Sequence, residues 1–383
     1  MMTEAAELGL EPFYAMEILA RAKALEAAGR DVLYLQTGEP DVPPAPRVIE
    51  AVRAALPEAQ RYTHSKGQIE LRRAIAESYG VRHGVVPDPE RIVVTMGSSS
   101  GFILAFLSSF APGAAIAVTR PGYPAYLNTL VGLGFRPVEI PVTAENGWRL
   151  SAADIEAAHA RTPFAGLLFA SPANPTGASV DRTALAEIAA SCTRLGIRLI
   201  SDEIYHGLDY GVPSASALPL AADAIIINSF SKYHCMTGWR IGWMVLPEDL
   251  VRRTEMLQQN LFISAPTLSQ IAARAALGET EYAEAQRARY AVNRDRLSRG
   301  LASIGFGLPG LPDGAFYAYA DVSAFTNDSL DFCMRLLDET GVASTPGIDF
   351  DRTDGKRYLR FSFAGSPETM DKALQRIAGF VGR

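Results

Sequence analysis

The sequence predicts an α/β fold: a mostly parallel central sheet with helices on both faces, joined to a smaller α+β domain. Three observations carry this. Short apolar runs alternate with helix-period stretches through the first two thirds of the chain. Each connection beyond Ala115 is long enough to cross a sheet face, which favours parallel strands covered on both sides. From about residue 280 to 303 the pattern becomes one long charged amphipathic helix, suited to bridge into a second unit.

The strands are expected at residues 91–95, 115–119, 165–170, 197–201, 224–228 and 241–246, each a short apolar run bounded by turn residues. Helices are expected at 101–110, 125–132, 182–195 and 248–260. After the bridging helix come an extended stretch at 314–322, a helix near 330–340, a strand at 358–363 and a last helix from Ser366. The helical stretch 13–29 is expected to pack with this second unit. The expected organisation is an arm and helix at 1–40, a large domain at 41–285 and a small domain at 286–383. Repeats and low-complexity tracts are absent.

With 383 residues, 48% hydrophobic and 20% charged, the chain is long enough for a sizeable core and reads as an ordinary soluble protein. A net charge of -6 offers no basic footprint for nucleic acid. Cys192, Cys235 and Cys333 are too few and too scattered for a disulfide framework or a cysteine zinc site, and no metal is expected. Residues 101–119 are apolar, but Ser108-Ser109 and Pro112-Gly113 divide them into helix, turn and strand, so no membrane span is expected. Residues 1–12 lack a basic-then-apolar pattern, and a cytoplasmic location is the expectation.

In open parallel sheets, ligands bind beyond the carboxyl ends of the strands. Five predicted strands end in special residues: Gly97-Ser98-Ser99-Ser100-Gly101, Pro121-Gly122-Tyr123-Pro124, Ser171-Pro172-Ala173-Asn174-Pro175-Thr176-Gly177, Asp202-Glu203-Ile204-Tyr205 and Ser229-Phe230-Ser231-Lys232. A lysine after an apolar strand, with hydroxyls before it and Arg240 after it, has the arrangement expected for a Schiff base with pyridoxal phosphate. Ser98 and Ser99 at a helix start suit a phosphate, although alone they read as an N-cap. Tyr123 suits stacking on a pyridine ring. Asp202, poorly solvated, needs a cationic partner such as a protonated ring nitrogen, or else a structural ion pair. Asn174 and Tyr205 suit hydrogen bonds to the ring's phenolic oxygen, their alternatives being turn chemistry and ordinary packing. Arg240 complements a phosphate. Arg360, within Tyr358-Leu359-Arg360-Phe361-Ser362-Phe363, needs an anion, either a substrate carboxylate or a structural acid.

These motifs resemble those of the class I/II aminotransferases, the fold type I pyridoxal-phosphate enzymes that include aspartate aminotransferase. The resemblance runs from about Pro12 to the C-terminus and keeps family order and spacing. It implies Lys232 as Schiff-base lysine and proton shuttle, Asp202 at the pyridine nitrogen, and Asn174 with Tyr205 at the phenolic oxygen. It implies phosphate contacts from Ser98, Ser99, Ser229, Ser231 and Arg240, stacking by Tyr123, and carboxylate contacts from Arg360, Gly38 and Asn174. Tyr62, in Arg61-Tyr62-Thr63-His64-Ser65-Lys66-Gly67, resembles the tyrosine that reaches the partner subunit's phosphate, which implies a homodimer with shared sites. The implied reaction is ping-pong transfer of an amino group between an L-amino acid and a 2-oxo acid. A β-lyase or an aminocyclopropane-carboxylate-synthase-like enzyme of the same fold is the alternative. His64 and Cys235 match no fixed family position, Ser100 is assigned no role because Gly101 stands where many relatives carry a bulkier residue, and no arginine for a distal carboxylate is evident.

Two short matches point elsewhere and fail on context. Gly97-Ser98-Ser99-Ser100-Gly101 spells a nucleophile elbow, but a serine hydrolase needs a late histidine and the last of the five is His234. Gly305-Phe306-Gly307-Leu308-Pro309-Gly310 spells a dinucleotide fingerprint, but it follows a helix rather than a strand.

Overall fold

A computed structural model of the chain describes Leu10 and residues 12–382. Residues 1–9, the start of the expected arm and part of the stretch read for a targeting signal, lie outside the described residues. The strands are β1 Leu33–Tyr34, β2 Ile92–Thr95, β3 Ala115–Arg120, β4 Arg136–Pro141, β5 Gly166–Ala170, β6 Arg198–Asp202, β7 Ile225–Ser229, β8 Gly242–Val245, β9 Tyr317–Asp321, β10 Val342–Ala343, β11 Thr345–Pro346 and β12 Tyr358–Ser362. Seven of them form one sheet in the order β2-β8-β7-β6-β5-β3-β4.

The sheet is mostly parallel, as expected, with β8 antiparallel to both of its neighbours. Every residue of β2, β7 and β8 is buried, which is why these strands read as continuous apolar runs. Alternate side chains enter different cores. Val94, Leu167, Leu199 and Ile226 join one apolar cluster, whereas Val93, Leu168, Ile200 and Ile227 join another beneath the helix Gly97–Ser109. Each such fully buried branched side chain contributes about 1.5–3 kcal/mol.

Two departures from expectation have local causes. The connection between β7 and β8 carries only the short turn Thr237–Trp239, so no helix covers it and the chain returns antiparallel. Strand β4 was not anticipated, because Arg136, Pro137, Glu139 and Pro141 interrupt any apolar run. It lies at the sheet edge, where proline is tolerated. The helices Pro46–Ala55, Ile69–His83, Ala152–Arg161 and Thr267–Ala276 were likewise not anticipated.

A third cluster surrounds the antiparallel sheet β11-β12-β9. It joins Ile18 of the helix Tyr14–Ala27, Leu297 of Thr280–Ile304, Leu336 of Ser329–Thr340 and Ile377 of Pro367–Val381 to Phe361. Parallel pairing of β1 with β10 adds a backbone tie between early and late chain. Asp349 adds another, accepting from the Tyr14 and Ala15 amides at 2.9 Å each.

Candidate active site

The carboxyl edge of the large sheet gathers the special residues. Asp202 closes β6 and pairs with Ala170 at the end of β5, while Ser229 closes β7. Asp202 is buried. It accepts from the Tyr126 hydroxyl on one oxygen and from the Ile204 amide, at 3.0 Å, on the other. Burial pushes its carboxyl up to about 6. Lys232 Nζ donates to the Gly38 carbonyl. Burial, reinforced by the positive charge of Arg360, brings its ammonium down to about 8.

Arg360 projects from β12 into the same region and is 3% exposed. Its guanidinium donates to Asn174 Oδ1 at 2.9 Å, to the Gln36 carbonyl at 2.6 Å and to Thr345 Oγ1 at 3.2 Å. It lies over the rings of Tyr317 (4.4 Å) and Phe350 (4.8 Å), while its Nε has no hydrogen-bond partner among the described residues. The Phe350 carbonyl is tied at 3.0 Å to the Gly122 amide, in the turn after β3. A buried guanidinium without a carboxylate partner retains capacity for an anion. Tyr317 also fixes Tyr205, hydroxyl to hydroxyl at 2.8 Å. A Cβ on Gly38 would stand 2.4 Å from the Tyr317 hydroxyl, so only glycine allows the backbone this close.

At the far end of the edge, the helix Gly97–Ser109 begins four residues earlier than expected. Ser98, half-buried, and Ser99, exposed, therefore sit in its first turn, where amide N–H groups lack helical partners. Gly97 has φ +71°, and a Cβ there would lie 2.6 Å from Arg240 Nη2. Arg240 donates to the Thr237 carbonyl at 3.0 Å. Helix start and guanidinium together make an anion cradle. Ser229 and Ser231 are buried behind it: the Ser229 hydroxyl lies 2.8 Å from Ser231 Oγ and 2.9 Å from the Ile241 carbonyl, and also accepts from the Ser231 amide at 3.1 Å.

The sequence pattern described as "Aminotransferase class I and II" matches residues 30–377. The chain belongs to this family. It is 44% identical over 379 residues to a valine–pyruvate aminotransferase of Mycobacterium tuberculosis, covering 97% of each chain. It is 34% identical over 375 residues to an aspartate aminotransferase of Streptomyces avermitilis, covering 94% of this chain and 91% of that one. The solved aspartate aminotransferase from Thermus thermophilus superposes with a TM-score of 0.92 at 31% identity, over 99% of this chain and all of that one. The protein is thus a fold type I aminotransferase that exchanges an amino group between an amino acid and a 2-oxo acid.

Other expected residues of the aminotransferase lie as follows. Tyr123 packs edge-on against Tyr126 (5.4 Å between ring centres) and Phe13 (6.5 Å). Tyr62 is 80% exposed. His64 is engaged by the Lys66 amide at 3.2 Å, and the Ser100 hydroxyl donates to the Gly97 carbonyl at 3.3 Å. Cys235 is buried at φ +56°. Sequence reasoning missed Tyr126, Tyr317, Thr345 and Phe350. Only Tyr126 left a signal, three residues after Tyr123 in the helix Pro124–Gly132 and so on its inward turn. No helix among the described residues is long and apolar enough to cross a membrane.

Proposed function

We propose that this aminotransferase holds pyridoxal 5'-phosphate along the sheet edge, with Lys232 as its covalent anchor. The donor set fits that group. Asp202 is a buried carboxylate with hydrogen bonds but no cation bonded to it, suited to a protonated pyridine nitrogen. The first turn at Ser98 and Ser99, with Arg240, suits the phosphate, and Ser229 and Ser231 hold the strand end beneath it. Tyr123 would cover the ring, and Asn174 and Tyr205 would face its phenolic oxygen. When bound, the cofactor supplies an electron-withdrawing ring that stabilises negative charge at the substrate α-carbon.

The chain's own residues do the rest. Arg360 binds the α-carboxylate of the amino acid through its planar fork, with Asn174 and the Gly38 backbone completing that subsite. Asn174 Oδ1, already accepting from Arg360, fixes the guanidinium's orientation. Lys232 takes the proton from the substrate α-carbon and returns it on the other side of the transferred nitrogen. An amine whose acidity is brought to about 8 is neutral often enough near physiological pH to act as that base. The 2-oxo acid leaves before the acceptor enters, which makes the kinetics ping-pong.

We further read residues 41–285 as the cofactor-binding unit and 286–383, with the arm at 1–40, as the unit that carries Arg360. Support comes from the apolar cluster shared by the helix Tyr14–Ala27 and the late helices. Exposed Tyr62 supports a homodimer in which each subunit completes its partner's phosphate site. The relative at 44% identity makes L-valine and pyruvate the first substrate pair to assay.

The single observation carrying this reading is the convergence of Lys232, Asp202 and buried, acid-free Arg360 on one sheet edge. Borohydride reduction of the holoenzyme followed by peptide mapping tests it. The cofactor's mass is expected on Lys232, and Lys232→Ala is expected to abolish turnover. Cofactor mass on another lysine, or a K232A variant with wild-type turnover, contradicts the assignment.

A further inference from the structure

Behind the sheet edge lies a cavity of about 180 Å³ that the transamination chemistry does not use. His83, His206, Arg82, Asn228 and Ser229 are among its lining residues. Glu203, next in the chain to Asp202, joins the two histidines. One ligating atom from each of His83, Glu203 and His206 lies within 4.8 Å of the other two.

The hydrogen-bond pattern shows what this cluster lacks. His206 Nε2 is 3.1 Å from the Ser171 carbonyl, an acceptor only, so that nitrogen carries the ring proton. Nδ1 is then a lone pair. It faces Glu203 Oε2 at 3.4 Å and His83 Nε2 at 3.4 Å. Glu203 Oε1 is saturated by the Ser201 hydroxyl (3.2 Å), the Ser216 hydroxyl (2.9 Å) and the Ala217 amide (2.9 Å). Its Oε2 has no hydrogen-bond partner among the described residues, although Glu203 is only 1% exposed. A hydrogen bond between the two histidines would still leave this carboxylate oxygen against a lone pair. With Glu203 ionised, such an arrangement calls for a positive centre between them, which a cation or a shared proton would supply.

We propose that Glu203 Oε2, His206 Nδ1 and His83 Nε2 form a site for a zinc-class divalent cation, with a fourth position open to a water in the adjoining cavity. The two separations from His206 Nδ1, 3.4 Å each to Glu203 Oε2 and His83 Nε2, suit tetrahedral coordination at the usual zinc bond lengths of about 2.0–2.2 Å, and all three ligand atoms lie within 4.8 Å of one another. The Ser171 carbonyl orients His206 as an outer partner, and the three donors on Oε1 do the same for Glu203. Arg82 lies over the Tyr233 ring at 4.5 Å and is exposed. With Asp202 and Tyr79, it is among the charged or titratable neighbours whose fields reach the histidines or Glu203. Glu203 and His206 are one helical turn's spacing apart in sequence, whereas His83 arrives from a separate helix. The sequence alone therefore leaves the trio unconnected.

The test uses the holoenzyme, stripped with a chelator, incubated with Zn²⁺, desalted and analysed for metal. Wild type is expected to retain about one equivalent per chain, with Co²⁺ in its place giving a four-coordinate visible spectrum. His83 is half-buried at the end of its helix, so His83→Ala is expected to keep the fold. It is expected to weaken retention by at least the roughly 10–100-fold that loss of an outer partner costs, and Glu203→Gln to do the same. Thermal melting of H83A verifies folding independently. Wild-type protein that retains no zinc, or a folded H83A that retains as much as wild type, overturns the proposal and leaves the cluster a proton-sharing network.

Discussion

Tyr126 shows how much a single side chain can bear. Its hydroxyl donates to the buried Asp202 carboxylate, and this bond holds the acid's pKa below where burial alone would put it. The proposed chemistry needs Asp202 ionised. In Tyr126→Phe the carboxyl therefore rises, and the acid limb of the kcat profile moves to higher pH. A hydrogen bond to a charged group is worth about 1.5–3 kcal/mol, so kcat falls roughly tenfold to a hundredfold. An unmoved acid limb would separate Tyr126 from Asp202. Asp202, Lys232 and Arg360 were legible in the sequence because each is a charge placed against an apolar strand. Tyr126, Tyr317 and Phe350 were not, because a buried aromatic looks the same in sequence whether it fills a core or flanks a site.

Among the elements, the turn from β2 into the helix Gly97–Ser109 is the most constrained. Gly97 takes a left-handed conformation and has Arg240 where a Cβ would be. Gly97→Ala adds about 1–2 kcal/mol of backbone strain and displaces the guanidinium from the helix start. Titration of the cofactor-free variant with pyridoxal phosphate should give binding weakened by about tenfold or more. Undiminished affinity would remove this turn from the phosphate site. Helix and strand types along the central sheet were readable from apolar runs and turn residues, because parallel strands are covered on both faces. Edge strand β4 was hidden by its two prolines and charges, and the reversal at β8 by a connection whose length alone permits either direction.

For the whole molecule, the proposed chemistry lies where the two sheets' contributions meet. The large sheet brings Lys232 and Asp202, and the small one brings Arg360 on β12. Sequence order predicted that convergence only through family motifs, since nothing local in Tyr358–Ser362 indicates which face of which domain it approaches. The exposed Tyr62 extends the same logic to a second copy. Chains bearing Tyr62→Ala and chains bearing Lys232→Ala, unfolded together and refolded as a mixture, are expected to recover turnover above either parent. One site of the mixed dimer then has both an intact lysine and Tyr62 of the partner subunit. No recovery from a mixture shown to contain mixed dimers would contradict shared sites.

The central claim is that this site moves an amino group rather than eliminating it, and a half-reaction without acceptor tests it most directly. Holoenzyme mixed with a reactive L-amino acid, beginning with L-valine, should release about one 2-oxo acid per chain and stop, with no ammonia and with the cofactor recovered in its amino form. Continued release of ammonia with 2-oxo acid over many turnovers would show a lyase and contradict the account.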